Sequence, residues 1–175
     1  MSVGARRPDW TIHIGLVVRS IADLMGLMGL MGLMTRFERG GRKDAILRSR
    51  EGDEIAVEWE WNGVYENELR KLKAHKPWAP VEFRPKSLRF AALVSYAESS
   101  DREASLEHVL KEWTGAGWPL LLILVTYDFT KKFQTQRDFK VMNSFVYGPN
   151  GVLDLGSIPA APWNLDATRW PIQLG

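Results

Sequence analysis

Two short stretches of the chain, residues 44–49 and 54–61, each contain a run of three hydrophobic residues, and hydrophobic and polar residues alternate over 57–61. A period of two predicts β-strands, and the intervening residues 51–53, Glu-Gly-Asp, have the composition of a tight turn. The two stretches therefore predict a β-hairpin. Two continuous hydrophobic runs, at 88–96 and 119–127, predict strands that are buried on both faces.

Helical spacing of hydrophobic residues predicts three helices, at 16–34, 65–75 and 100–113. The first contains a Leu-Met-Gly triplet repeated three times, and each of its glycines weakens a helix by about 1 kcal/mol relative to alanine. We interpret this segment as a weakened helix that packs its Leu and Met side chains on the sheet. A methionine-rich binding surface is the functional alternative.

These elements follow one another in the order helix, hairpin, helix, strand, helix, strand, and a last strand is expected at 139–147. Parallel strands need a crossover connection, which the helices between them supply, whereas hairpin strands are antiparallel. The order therefore predicts a single α/β domain over 1–175, with a central mixed β-sheet flanked by helices. Its core is expected at 16–147, and the Pro- and Gly-rich residues 148–175 are expected to form a tail packed on the body.

The net charge of +2 conceals three blocks of opposite sign. Residues 36–50 carry six bases and two acids, residues 51–68 carry seven acids and no base, and residues 69–89 carry seven bases and one acid. A carboxylate-rich segment between two basic ones places metal ligands next to groups that bind phosphate. Solvated faces that complement one another are the alternative, and the charge pattern alone favours that alternative.

The chain has no cysteine, which excludes disulfides, thiolate zinc sites and cysteine nucleophiles. The uncharged stretch 24–34 is too short to span a bilayer, and no signal-peptide pattern is found. We therefore expect a protein of the reducing cytoplasm without a membrane anchor. The motifs HExxH, GxSxG and GxxxxGK[ST] are absent, so carboxylates are the remaining candidate ligands.

The second hairpin strand carries two of these carboxylates. Side chains alternate along a strand, so Glu58 and Glu60 point to one face, about 7 Å apart, and Trp59 and Trp61 pack under a helix on the other. Asp44 lies on the first hairpin strand, where its carboxylate can join them. Three oxygen ligands of this kind suit Mg²⁺ or Mn²⁺. Glu-x-Glu by itself favours a plainer alternative, a solvent-facing hairpin with polar residues at alternate positions.

The whole string around these carboxylates resembles a known motif. Asp44-Ala-Ile-Leu is followed 14 positions on by Glu58-Trp-Glu60, with apolar residues before it and a basic helix after it. Over about residues 16–96 the chain is similar to the PD-(D/E)XK nuclease superfamily. The resemblance implies a restriction-endonuclease-like three-layer domain, a Mg²⁺- or Mn²⁺-dependent endonuclease, and Asp44 and Glu58 as metal ligands.

The chain departs from the family's pattern at two positions. Glu60 stands where the family usually has a lysine that positions or activates the attacking water, although some type II restriction endonucleases carry Glu at this place. Lys43 stands where the family has the proline that precedes its aspartate. In this chain Glu60 is expected to act as a metal ligand or to position water.

Further charged residues near the motif are candidates for the same site. Basic side chains on both flanks are candidates for contacts with substrate phosphates: they are Arg42, Lys43, Arg70, Lys71 and Lys73. Glu38 is a candidate additional acid. For Glu38 and for each of the bases, a solvated surface position is the alternative.

The leading hypothesis is a metal-dependent nuclease that hydrolyses phosphodiester bonds of nucleic acid. DNA is the expected substrate, and a homodimer is compatible with this activity. The first alternative is a non-catalytic module on the same fold that binds nucleic acid or a protein. The second is a structural α/β protein whose carboxylates are merely solvated.

Overall fold

The computed structural model describes residues 14–15, 17–19, 34–39, 43–60, 63–64, 66–78, 88–130 and 133–160. Within these residues the main feature is a seven-stranded β-sheet, accompanied by α1 (Glu66–Lys73), a 3-10 turn (Ser99–Asp101) and α2 (Arg102–Trp113). Residues 14, 15 and 17–19 are also helical. None of the described helices has both the length and the hydropathy needed to cross a membrane. The strands are β1 (Met34–Arg39), β2 (Lys43–Ser49), β3 (Gly52–Glu60), β4 (Phe90–Glu98), β5 (Leu120–Thr130), β6 (Phe133–Gly148) and β7 (Gly151–Pro159).

The strands lie across the sheet in sequence order, from β1 to β7. The three central strands, β3, β4 and β5, are parallel, and the strands on both sides of them pair antiparallel. Each parallel connection needs a crossover, and α1 and α2 supply the two that are required here. The sheet is therefore mixed and the fold is α/β, as the element order predicted.

Two hydrophobic layers cover the central strands. On one face, Leu69 and Leu72 of α1 pack together with Val109 of α2 against β3, β4 and β5. On the opposite face, Val18 of the N-terminal helical residues packs against β2 and β3, with the half-buried Trp59 beside it. The central strands are therefore covered by helical residues on both faces.

Strand β3 is buried without interruption from Gly52 to Glu58. Because side chains alternate along a strand, Ala56 enters the layer under α1 and Val57 enters the opposite layer. Trp59 belongs to the layer of Val57, which confirms that it packs under a helix, whereas Trp61 lies outside the described residues. The acidic residues of β3 are consequently buried too, and each needs a partner.

Most of the predicted elements are confirmed. The hairpin predicted at 44–49 and 54–61 is formed by β2 and β3. The helices predicted at 65–75 and 100–113 are α1 and, after the 3-10 turn, α2. The two buried strands are β4 and β5, and the strand expected at 139–147 is part of the longer β6.

Strands β1 and β7 were not predicted. β7 lies within the expected tail, 148–175, and all nine of its residues are exposed, so it has no buried positions for a hydrophobic pattern to mark. β1 already begins at Met34, so the first helix does not extend to that residue as predicted; pairing with β2 holds this short, charged strand in place. The Leu-Met-Gly repeat and residues 161–175 lie outside the described residues.

A buried ion-pair network holds the start of β3 to the residues that follow α1. The Asp53 carboxylate accepts hydrogen bonds from Arg48 Nε at 2.5 Å and from the Trp78 amide at 2.9 Å, and His75 Nε2 lies 3.3 Å from it. The Arg48 guanidinium also lies over the Trp78 ring, 4.3 Å from its centroid. Burial alone would raise the pKa of Asp53, but the contact with His75 and the hydrogen bonds from Arg48 and Trp78 together lower it to about 2.

Replacing this carboxylate tests its role in stability. Asp53→Ala is expected to lower the free energy of unfolding by about 3 kcal/mol, because it leaves a largely buried guanidinium and a backbone amide without their acceptor. The depressed pKa means that the stabilisation is complete above the unfolded-state pKa of roughly 3.9. It is lost as the pH falls through about 2. Urea unfolding at pH 7 and at lower pH measures both effects.

Glu66→Ala is the matched control for this substitution. Glu66 is exposed and pairs with the exposed Arg70 at 3.5 Å, and a surface pair of this kind contributes at most about 1 kcal/mol. Equal losses of stability in the two variants would contradict the role assigned to the Asp53 network.

Candidate active site

Two carboxylates meet across the β2–β3 hairpin. Ala45 pairs with Val57 in the register of these strands, so Asp44 and Glu58 are the next residues across from each other and share a face of the sheet. Their carboxyl groups are within hydrogen-bonding reach of each other. The Trp59 amide donates a hydrogen bond to Asp44 Oδ2 at 2.7 Å, which fixes the orientation of the Asp44 side chain.

The Asp44–Glu58 pair is held in a poorly solvated position. Only 1% of Glu58 is exposed, and burial together with the charge of Asp44 raises the pKa of Glu58 to about 8. Burial also raises the pKa of Asp44, against the effect of the hydrogen bond from Trp59. Two ionised carboxylates are both acceptors, so a hydrogen bond between them requires one proton that the pair shares. The site thus favours a proton or a cation between the two groups.

Helix α1 adds two charged side chains to this pair. Lys71 Nζ lies 3.9 Å from Glu58 Oε2 and 3.0 Å from Glu68 Oε1. Burial lowers the pKa of Lys71, but the hydrogen bond with Glu68 and the charge of Glu58 together raise it above its usual value. Lys71 is therefore a cation at neutral pH. It is 37% exposed at its side chain, so it borders both the buried pair and the solvent.

The other buried acids of β3 show how Glu58 differs. Both oxygens of Asp53 have hydrogen-bond donors or a close cationic partner, as described above. Glu54 accepts hydrogen bonds from Ser49 Oγ and from Arg89 Nε, each at 2.7 Å. In contrast, Glu58 Oε1 is buried and has no hydrogen-bond donor among the described residues. Native proteins rarely leave a buried polar atom unsatisfied, which makes Glu58 the candidate ligand on this strand.

Glu60 and Ser95 lie at the edge of the sheet where β3 and β4 end. The two residues pair in the parallel register, and Glu60 is half-buried. The Ser95 hydroxyl is fully buried and has no hydrogen-bond partner among the described residues. Ligands of open α/β sheets bind outside the carboxyl ends of parallel strands, which is the edge that carries Glu58, Glu60 and Ser95.

The predicted phosphate-binding bases have different positions. Lys71 lies at the carboxylate pair, as described. Lys43 is buried, with 4% exposed, and burial lowers its pKa. Arg70 contacts Glu66 and Asn67 on the exposed side of α1, and Lys73 Nζ donates hydrogen bonds to the carbonyl oxygens of Glu112 and Thr114 at 2.9 and 2.7 Å. The structure thus does not bring Arg70 or Lys73 to the carboxylates.

Two predicted residues fall outside what the structure describes, and one site residue was missed. Arg42 and the side chain of Glu38 lie outside the described residues. Glu68 is not among the residues predicted for the site, but it is a direct partner of Lys71 there. The available signal was its spacing: Glu68 lies one residue before Leu69 and four before Leu72, so it borders the buried face of α1.

The residues present fit a divalent cation bound by two carboxylates. Glu58 Oε1 has no hydrogen-bond donor among the described residues, and burial together with the charge of Asp44 raises the pKa of Glu58. Among the described residues, no three His, Asp or Glu side chains are close enough to form a complete ligand group. Mg²⁺ is commonly bound by one or two carboxylates, with waters and substrate phosphate oxygens as its other ligands, so two are sufficient.

Comparisons with known proteins do not assign the chain to a family. No family model matches it, and no curated protein does. Among solved structures, YaeQ from Xanthomonas axonopodis pv. citri matches with 12% sequence identity over 83% of this chain and 78% of that chain, with a TM-score of 0.30. A score this low supports no conclusion about fold or function, so the site is interpreted from its own geometry.

The raised pKa of Glu58 predicts an unusual dependence of stability on pH. Between the ordinary value of 4.5 and the folded value of about 8, the folded state binds more protons than the unfolded state. Stability therefore falls as the pH rises through this window. Glu58→Gln removes the charge, so at pH 8.5 it is expected to raise the free energy of unfolding by on the order of 2 kcal/mol. At pH 5 it should have little effect.

Urea unfolding between pH 5 and pH 9, in the presence of a chelator, measures this difference. The chemical shift of the Glu58 side-chain carboxyl carbon, measured by carbon-13 NMR as a function of pH, reports the pKa of Glu58 directly. The signal is assigned by its loss in Glu58→Gln. A midpoint of the Glu58 titration near pH 4.5 would contradict the raised pKa of the buried pair. So would a Glu58→Gln variant that is no more stable than the wild type at pH 8.5.

Proposed function

We propose that this protein is a metal-dependent nuclease that hydrolyses phosphodiester bonds, with DNA as the expected substrate. The observation that carries the proposal is the buried Asp44–Glu58 pair, in which one oxygen of Glu58 has no hydrogen-bond partner in the described part of the chain. This is the pair of residues that the resemblance to the PD-(D/E)XK superfamily implies as ligands. The proposal includes a restriction-endonuclease-like arrangement of the layers and a location in the reducing cytoplasm, with which the absence of cysteine agrees.

Asp44 and Glu58 would hold the metal, which would supply Lewis acidity and a bound water of lowered pKa. Asp44 already accepts a hydrogen bond from the Trp59 amide, so its remaining oxygen is the one left for a ligand. Glu58 Oε1, which has no hydrogen-bond donor among the described residues, would be the second ligand atom. Burial of both groups keeps bulk water away and strengthens their attraction for a cation.

Lys71 takes a different part in the proposed reaction. Its ammonium group lies 3.9 Å from Glu58 and extends to the solvent side of the pair, where it can bind a phosphate oxygen. Glu68 holds it there through the 3.0 Å contact. A cation beside the scissile phosphate stabilises the negative charge that develops on the phosphoryl oxygens in the transition state. Glu60, two residues after Glu58 on β3, is proposed to position water.

Cleavage assays on DNA and RNA with Mg²⁺ or Mn²⁺ test this function. Wild type is expected to cleave in the presence of either ion, and Glu58→Gln and Asp44→Asn are expected to lower the rate at least 100-fold. Such a loss corresponds to about 3 kcal/mol of transition-state stabilisation. Lys71→Met, which keeps the length of the side chain and removes its charge, is expected to lower the rate with a smaller effect on metal affinity.

Glu66→Gln is the control, because Glu66 is an exposed acid on the same helix that contacts Arg70. It should cleave at the wild-type rate. If purified protein cleaves neither substrate and calorimetry detects no binding of either metal, the nuclease proposal is wrong. Salt-sensitive binding of nucleic acid without cleavage would instead support the non-catalytic module.

A further inference from the structure

Strand β7 forms one of the two outer edges of the sheet. The strand order runs from β1 to β7, so β7 pairs with β6 on one side and with none of the described strands on the other. All nine of its residues are exposed. The outer side of an edge strand presents a row of N–H and C=O groups that another extended chain can pair with. The partner that fits this edge is therefore a β-strand.

Large hydrophobic side chains are concentrated along this edge. Val152 is 45% exposed, Leu155 is 54% exposed, and Leu153 and Ile158 are both 60% exposed. Natural sheets commonly protect a long edge strand with charged residues, but β7 has one charged residue in nine, Asp154. An exposed apolar edge of this kind marks a contact surface.

The other outer edge of the sheet, β1, has a different composition. Three of its six residues are charged, in the sequence Met-Thr-Arg-Phe-Glu-Arg. Two copies that pair through β7 form one continuous sheet whose two ends are the charged β1 strands. Such a contact is isologous and closes as a dimer, whereas pairing of β7 with β1 of the next copy continues into a ring or a fibre. The two edges therefore favour pairing of β7 with β7.

The pairing of β7 with β6 shows which β7 side chains share a face of the sheet. Asp154 and Ser157 pair with Phe145 and Asn143, which are alternate residues of β6 and so point to one face. Phe145 belongs to the hydrophobic layer under α1 and α2. Leu155 has no partner on β6, and this one-residue bulge is why Asp154 and Ser157 share a face although they are three positions apart.

Leu153 and Ile158 lie on the opposite face. They pair with Val146 and Met142, which alternate with Phe145 along β6. Each half of β7, before and after the bulge, thus has a hydrophobic residue on this face and a polar residue on the face of the helices.

In one antiparallel register, two copies of β7 bring matching side chains together. A two-fold axis perpendicular to the sheet makes each face of one copy continuous with the same face of the other. With Leu153 opposite Ile158 of the second copy, Asp154 lies opposite Ser157 of the second copy, so both pairs share a face. Hydrophobic residues then meet on one face. On the other, the acid meets a hydroxyl that can donate a hydrogen bond to it, instead of a second acid.

Pro159 fits the same register. It lies opposite Val152 of the second copy, and both residues belong to the face of the helices, because they pair with Val141 and Tyr147 of β6. A proline has no N–H to donate. Its position at each end of the paired region means that only a terminal donor is missing, which is where sheets accept proline.

We propose that β7 is a dimerisation edge whose partner is β7 of a second copy of this chain, paired antiparallel with Leu153 opposite Ile158. A second copy is favoured over an unrelated strand because β7 complements itself in this register, both in the faces of its hydrophobic residues and in the position of its one acid. The dimer does not depend on the nuclease function, because β7 shares no residue with the carboxylate pair. Failure of one proposal therefore leaves the other standing.

Equilibrium ultracentrifugation of the full chain measures the dimer. Each copy contributes a strand of nine residues. This is fewer than the roughly 20–30 residues per partner of a standard interface, so we expect a dissociation constant on the order of 10 µM. Between about 1 and 200 µM the mass should therefore rise from that of the monomer towards that of the dimer.

The charge at position 157 tests the register. Ser157→Asp sets an acid opposite Asp154 of the second copy at two symmetric places, and it should weaken the dimer about tenfold. Ser157→Lys sets a base opposite the same acid, and it should tighten the dimer about fivefold. Both effects should shrink in about 1 M salt, which screens charges beyond about 3 Å.

Ser100→Asp and Ser100→Lys are the matched controls, because Ser100 is an exposed serine in the 3-10 turn before α2. Both should dimerise as the wild type does. Circular dichroism establishes that every variant is folded.

Two results for the wild type overturn the proposal: a monomer that persists at about 200 µM, and a mass that grows beyond that of the dimer, as pairing of β7 with β1 would cause. A dimer that Ser157→Asp and Ser157→Lys change in the same direction, or not at all, also overturns it. In that case position 157 does not face Asp154 of the second copy.

Discussion

The uninterrupted burial of β3 is the constraint on which the rest of the described structure depends. This strand pairs antiparallel with β2 and parallel with β4, and helical residues cover both of its faces. It nevertheless carries Asp53, Glu54 and Glu58 in its buried part. A buried carboxylate is stable only with partners. Arg48 forms an ion pair with Asp53, and Arg89 forms one with Glu54. Glu58 meets a second acid and a shared lysine, which leaves a buried site that a cation would complete.

The antiparallel and parallel halves of the sheet contribute different parts of this site. The hairpin register brings Asp44 opposite Glu58, although the two acids are 14 positions apart in the chain. The parallel connection from β3 to β4 requires a crossover, and that crossover is α1, which brings Lys71 and Glu68 over the pair. One acidic segment thus serves two purposes. Its first acids hold the fold together, and Glu58 remains available for a ligand.

Sequence reasoning succeeded where a local period carried the information. The alternation along the second hairpin strand placed Glu58 and Glu60 on one face, and helical spacing placed Leu69 and Leu72 inward. It failed for β7, because a fully exposed edge strand has no buried positions, and for β1, which is held by pairing with β2. It named Arg70 and Lys73 as candidates for phosphate binding with a solvated surface position as the alternative, and in the structure Arg70 contacts surface residues and Lys73 caps the end of α2. Charge alone does not distinguish these roles.

The sequence by itself determined the α/β class and the hairpin, and strand periodicity placed Glu58 and Glu60 on one face, because it fixes which residues share a face over a few positions. Only the tertiary structure decided that Glu58 is buried with one oxygen that has no donor among the described residues, while Asp53 and Glu54 have hydrogen-bond donors. It also decided that Lys71, out of three neighbouring bases, reaches the carboxylates. The burial of a side chain and the choice of its partner depend on contacts between residues distant in the chain. No local pattern in the sequence specifies these contacts.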